Sequence, residues 1–178
     1  MRSDAQANRA LLVDTAASLF ISHGEATSMR SIAEAAGVGV GTLYRHFPDR
    51  DALVNAIAIE KFSQVIALTS GVTSAEQWAE FSHAMSHISL GQLAPALSSL
   101  RPDPEPREVV EYRARAFEEL ERVLGLAREA GLIRGEITVI RFLLGLMACT
   151  RPLPAGAPEV FVKEMDWLRE NFVQSLRP

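Results

Sequence analysis

Residues Ala36 to Arg50, AGVGVGTLYRHFPDR, support two incompatible readings. Glycines at 37, 39 and 41 followed by Thr42 have the look of a loop that cradles phosphates. The TLYRHF behind them has the make-up of a short aromatic and basic helix. A nucleotide loop needs a β-strand ahead of its glycines and usually a lysine behind them. Here the helical pattern MRSIAEAA precedes them and Leu43 follows Thr42. A helix-turn-helix accounts for every residue instead. Gly37 permits the positive φ that ends one helix and turns the chain. Val38 plugs the gap between the two helices. Gly39 and Gly41 let the next helix approach bases and phosphates closely. Leu43 and Phe47, four apart, anchor that helix, which leaves Thr42, Tyr44, Arg45 and His46 facing outward. The second helix of such a motif lies in the major groove. A plain αα-corner would leave the outward set unexplained.

The flanking chain reads as helix throughout, so the fold class expected is all-α, with about nine helices. NRALLVDTAASLFISHG puts Leu11, Leu12, Thr15, Ala16, Leu19 and Phe20 on one face, and Gly24 stops it. TSMRSIAEAAG offers Ser28 as N-cap, with Ile32, Ala33 and Ala36 turned inward. The short third helix runs from about Val40 to Phe47, burying Val40, Leu43 and Phe47. Pro48 breaks it, and Asp49 caps a long fourth helix over 49–69 carrying Leu53, Ile57, Phe62 and Ile66. Past the break at Thr69–Ser74, helices are expected at about 74–90, 91–100, 107–130, 134–149 and 159–176. The proline clusters RPDPEP and RPLPAGAP separate the later ones.

Composition sets outer limits. The chain has 178 residues and 48% hydrophobic content, enough for a real core. No run of eighteen apolar residues exists to span a membrane, and the charged MRSDAQANRALLV is unlike a signal peptide. The single cysteine, Cys149, reads as a small core residue and fits a reducing cytoplasm, where the protein is expected. Net charge is −4, and neither half is basic overall. DNA binding must therefore rest on the placement of a few arginines.

ATSMRSIAEAAGVGVGTLYRHFPDRDAL is very similar to the DNA-binding segment of the tetracycline-repressor (TetR) family of bacterial transcription regulators. With DAQANRALLVDTAASLFISHG resembling that family's first helix, the close likeness covers roughly residues 4–55. Further on, only AREAGLIRGEIT, FLLGL and the terminal LRENFVQSLRP look like the family's late helices. The resemblance implies that Arg30 can reach a base edge, and that Val40, Gly41, Thr42 and Arg45 lie at or near bases. It implies that Tyr44 and His46 hold phosphates. Arg50 stands where the family usually has a phosphate-contacting lysine, and Ser28 opens the first motif helix on the DNA-facing side. Gly39 departs from the usual serine or threonine yet can still cap a helix. Ile140-Arg141 departs from an acidic residue common there. The expected organisation is a DNA-binding domain over 1–50 and an effector-binding and dimerisation domain over 51–178.

A motif that reads one half-site needs a two-fold partner, because half-sites lie about 34–36 Å apart. ITVIRFLLGLMACT is apolar nearly all round, and Phe161, Met165, Leu168, Phe172 and Leu176 recur at helical spacing. These two helices resemble the family's pair that forms a four-helix bundle with the partner, with Leu143, Leu146, Phe161, Met165, Leu168 and Phe172 as the interface. The same helices could instead fill a monomer core. Phe62, Trp78, Phe81, Met85, Leu90, Leu93, Tyr112 and Phe117 suffice to line an apolar effector pocket, and equally to fill a core. His83 and His87 are four apart, the spacing of a two-histidine metal site, but no third ligand pattern joins them. No metal, cofactor or catalytic constellation is expected. The function expected is a ligand-responsive DNA-binding regulator, a homodimeric repressor of a near-palindromic operator released by a small apolar effector. The alternatives are a helical small-molecule-binding protein or enzyme with a vestigial helix-turn-helix, and a helical adaptor that binds no DNA.

Overall fold

A computed structural model describes residues 2–88, 90, 105–150, 153 and 157–178. Among the described residues there are eight α-helices and two 3-10 turns, and no strand. The chain divides into two units, one holding the residues up to Glu60 together with 105–109, the other Lys61 onward with Val110–Pro178. The helix expected at 91–100, and Leu93 with it, lies outside the described residues.

The first unit holds α1 (Arg2–His23), α2 (Met29–Ala35), α3 (Val40–His46) and the start of α4 (Arg50–Ser70). Ser28 caps α2 by accepting from the Ser31 amide at 3.0 Å, and the Ser31 hydroxyl accepts from the Ser28 amide at 3.0 Å. This is a reciprocal capping box with serine in the third position instead of Glu or Gln. Gly37 ends α2 at φ 68°, the left-handed conformation that the sharp turn requires. Asp49 caps α4, its Oδ1 accepting from the Ala52 amide at 2.7 Å.

The core of this unit joins Leu12, Val13, Ala16, Ala17 and Phe20 of α1 to Ile32, Leu43, Phe47, Leu53 and Ile57. Two expectations are corrected. Leu11 is exposed, and the inward stripe of α1 is instead 12, 13, 16, 17 and 20. Val40 is exposed, because α3 begins at it and Val38 from the turn already packs against the core edge.

The second unit holds the end of α4, then α5 (Trp78–His87), α6 (Arg107–Glu129) from Val110 onward, α7 (Val139–Cys149) and α8 (Glu159–Ser175). The last carbonyls of α4 have no intrahelical donors, and Arg122 of α6 supplies one to Thr69. Its guanidinium donates to Thr69 O at 2.7 Å, and to Val72 O just past the helix at 2.8 Å, while pairing with Glu119. α5 opens later than expected, after a 3-10 turn in which Gln77 Oε1 accepts from the Thr73 and Ser74 amides, and it closes at His87 instead of 90. α7 begins at Val139 instead of 134, because Thr138 caps it and the Arg134 amide is committed to Leu176 O at 2.9 Å. Trp78, Phe81, Met85, Leu120, Leu124, Ile133, Phe142, Leu146 and Leu176 form the core.

α4 is long and apolar enough to cross a membrane by length and composition. Its buried residues account for that apolarity: Leu53 and Ile57 serve the first core and Val65 the second.

Candidate nucleic-acid interface

α3 is a seven-residue helix held by two side chains. Leu43 and Phe47 are buried in the first core, and this fixes which way the rest of the helix points. Tyr44 is 48% exposed, Arg45 is exposed, and Thr42 and His46 are half-buried at the flanks. Arg45 Nη2 donates to Thr42 Oγ1 at 3.2 Å, which holds the two side by side. A Cβ added at Gly41 would meet nothing within 4 Å, so this glycine serves no close packing within the chain. The bare front of α3 is open to an approach from outside.

The remaining expected contacts divide. Arg30 reaches solvent on α2, paired with Glu34 at 2.9 Å with both side chains mostly exposed. Such a pair is easily exchanged for another anion. The Ser28 hydroxyl is engaged in its capping box and is a cap before it is a surface group. Arg50 is engaged too: its guanidinium donates to the Thr27 carbonyl and lies over the Phe20 ring, 4.6 Å from the centroid. Arg9 was not singled out from sequence. Its guanidinium stands 5.2 Å from the centroid of Phe47, directly beside His46 in the chain. No local pattern links α1 to the end of α3, so only the packed unit reveals this cation.

Residues 12–57 match the model of the tetR family of bacterial regulatory proteins. An HTH-type transcriptional regulator of Staphylococcus aureus strain MRSA252 is 40% identical over 81 residues, 43% of this chain and 42% of the relative. Another, from strain USA300, is 48% identical over 54 residues, 30% of this chain and 29% of the relative. The matched stretches thus span less than half of either relative. Along nearly the full length, the chain is similar to the solved structure of a TetR transcriptional regulator from Streptomyces coelicolor. That likeness has a TM-score of 0.64 at 23% identity, covering 96% of this chain and 98% of the other. A TetR regulatory protein from Mycobacterium vanbaalenii gives a TM-score of 0.62 at 26% identity, covering 99% of both.

Residues 12–57 are those of a TetR-type DNA-binding segment.

The second unit of the chain places the other expected residues less uniformly. Phe81 and Met85 are buried inside the core, and Trp78 packs at a tilt against Phe81 and Phe142, at 5.9 and 6.0 Å between ring centroids. Phe62, Leu90 and Phe117 lie half-buried against the same core, and Tyr112 is half-buried. Phe81 and Met85 thus pack within the core, one of the two roles that their sequence pattern allowed. Trp78 and His83 do border a cavity, of about 460 Å³, and its opposite wall is α8. The His83 and His87 rings stand 4.5 Å apart, and His87 Nδ1 is 2.9 Å from the His83 carbonyl. Among the described residues no third histidine, cysteine or carboxylate joins them. Burial pushes the Cys149 thiol upward, against a smaller opposing effect of Arg169.

The expected interface residues also divide. Leu146 is corrected: it is fully buried in the protomer's own core, as Val139 and Phe142 are. Leu143, Met165 and Phe172 are half-buried, while Phe161 and Leu168 are exposed. Ile140 and Leu144, offset by one from the inward stripe, stand 60% and 58% exposed and were missed. No residue of α8 is buried within the chain, although Val160, Phe161, Val162, Trp167 and Leu168 are large and apolar.

Proposed function

We propose that the chain is a TetR-family regulator, a ligand-responsive repressor that binds a near-palindromic DNA operator as a homodimer in the cytoplasm. The observation that carries the reading is the division of α3. Leu43 and Phe47 are locked into the core while Tyr44 and Arg45 project outward from a helix whose front is bare at Gly41. The domain over 1–50 holds the reading head, and the remainder binds effector and partner.

Tyr44 and His46 take phosphates, and the Thr42–Arg45 pair with Arg30 takes base edges. Ile140 and Leu144 of α7, with Phe161 and Leu168 of α8, provide the apolar face for a second copy. An exposed apolar surface of this extent marks an interaction site. An effector that prefers the DNA-free arrangement lowers operator affinity by its differential affinity for the two states.

Fluorescence anisotropy with a labelled random duplex, titrated across salt concentration, tests the reading. Affinity should fall steeply and linearly on a log–log plot, as it does for proteins that displace counterions from phosphates. No binding at low salt overturns it.

A further inference from the structure

Trp167 on α8 is 56% exposed, although a tryptophan offers a large apolar area for burial. It stands at the rim of the α5–α8 cavity, whose volume of about 460 Å³ falls within the usual range of small-molecule sites, roughly 300–1,000 Å³. The floor is Trp78, fixed by its packing against Phe81 and Phe142. The α5 wall is smooth, because Ser82 and Ser86 donate their hydroxyls back to the carbonyls of Ala79 and His83, at 3.2 and 2.7 Å. Two indoles and a smooth wall suit a flat ring system better than a branched aliphatic one.

Two opposite charges border the cavity. Glu170 lies on α8, and Arg177 lies just past the end of that helix, seven residues later in the chain. Arg177 also borders a second hollow of about 380 Å³ that reaches toward Leu132. That leaves room for a group that projects past the first cavity. Opposite charges bordering one cleft favour opposite charges on its occupant.

We infer that the α5–α8 cleft binds an elongated, flat aromatic molecule with a cationic group beside Glu170 and an anionic group beside Arg177. The ring lies between Trp78 and Trp167. As an effector site it rests on the ligand-responsive reading above; as a binding site it does not.

Calorimetric titration of the DNA-free protein with 6-(aminomethyl)-2-naphthoate tests this, with 2-naphthoate and 2-naphthylmethylammonium as singly charged comparisons. The doubly charged probe should bind once per chain, about tenfold tighter than either comparison. Trp167→Ala, Glu170→Gln and Arg177→Gln should each weaken it about tenfold, while Glu118→Gln, at an exposed glutamate of α6 that borders neither cavity, leaves it unchanged. Absence of binding overturns the inference, as does binding that survives all three changes or is lost in Glu118→Gln. It also fails if Trp167→Ala turns a dimer into a monomer in sedimentation and the probe gives no heat, since the cleft is then part of the subunit contact. Probe binding without change in operator affinity leaves the site standing and removes the ligand-responsive reading. Operator release by other compounds, with no heat here, does the reverse.

Discussion

Arg50 and Arg45 carry the same charge a few residues apart, yet their surroundings give them different work. Arg45 is exposed and, among the described residues, donates to Thr42 and the Gly41 carbonyl of its own helix. Arg45→Ala should cost operator binding about 1–3 kcal/mol and relax the preference at one base position, read by competition with single-base operator variants. Tyr44→Phe and His46→Ala should weaken binding to all sequences alike and reduce the salt slope. Uniform weakening by all three would show that Arg45 is no base reader. Arg50 holds the Thr27 carbonyl and the face of Phe20, so its loss should appear first in stability. Arg50→Ala is expected to lower the unfolding free energy of the first unit by about 2 kcal/mol in urea, mostly from the charged hydrogen bond. A salt slope reduced by one in that variant would return Arg50 to the phosphate contacts.

Among the elements, the seam between α7 and α8 depends on one missing side chain. A methyl group at Gly145 would overlap Cε2 and Cζ of Phe172, a ring that also stands 6.3 Å from Phe142. Gly145→Ala therefore cannot be absorbed without moving α8, and overpacking of this kind costs about 1–3 kcal/mol. Thermal unfolding should show the loss, and Gly145→Ala with Phe172→Leu should recover part of it. Equal melting temperatures for the single variant and the parent would mean that α8 is not seated on α7 in this way. Helical spacing and the family resemblance together put Phe172 among the expected interface residues, with a place in the chain's own core as the alternative. A continuous apolar run cannot show which residue of a helix meets its own core.

For the whole molecule, the decisive question is what covers α8. Leu168 is 41% exposed within the chain, so a charge there leaves the protomer's core intact. In a dimer the same charge would be buried without a partner, at a cost of several kcal/mol, on the order of the penalty for an unpaired buried ion. Leu168→Glu should sediment as a folded monomer with an unchanged circular dichroism spectrum and lost operator binding. A stable dimer in that variant would place the interface elsewhere.

The turn chemistry of the first unit was legible residue by residue, because it is local. Ser28 caps, Gly37 takes positive φ, Asp49 caps, and Leu43 and Phe47 face inward as their spacing dictates. The all-helical class followed for the same reason, since periodicity and punctuation act over a few residues. What the tertiary structure decided were choices among equivalent apolar or cationic side chains. It turned Leu146 inward and Ile140 outward on a helix that is apolar all round. It gave Phe81 and Met85 to the core and left a cavity along Trp78, Ser82 and His83 of the same helix. It also brought Arg9 to Phe47 and Arg50 to Thr27. A helix's own sequence sets its period, but its phase against the core is set by partners distant in the chain, and these side chains depended on that phase.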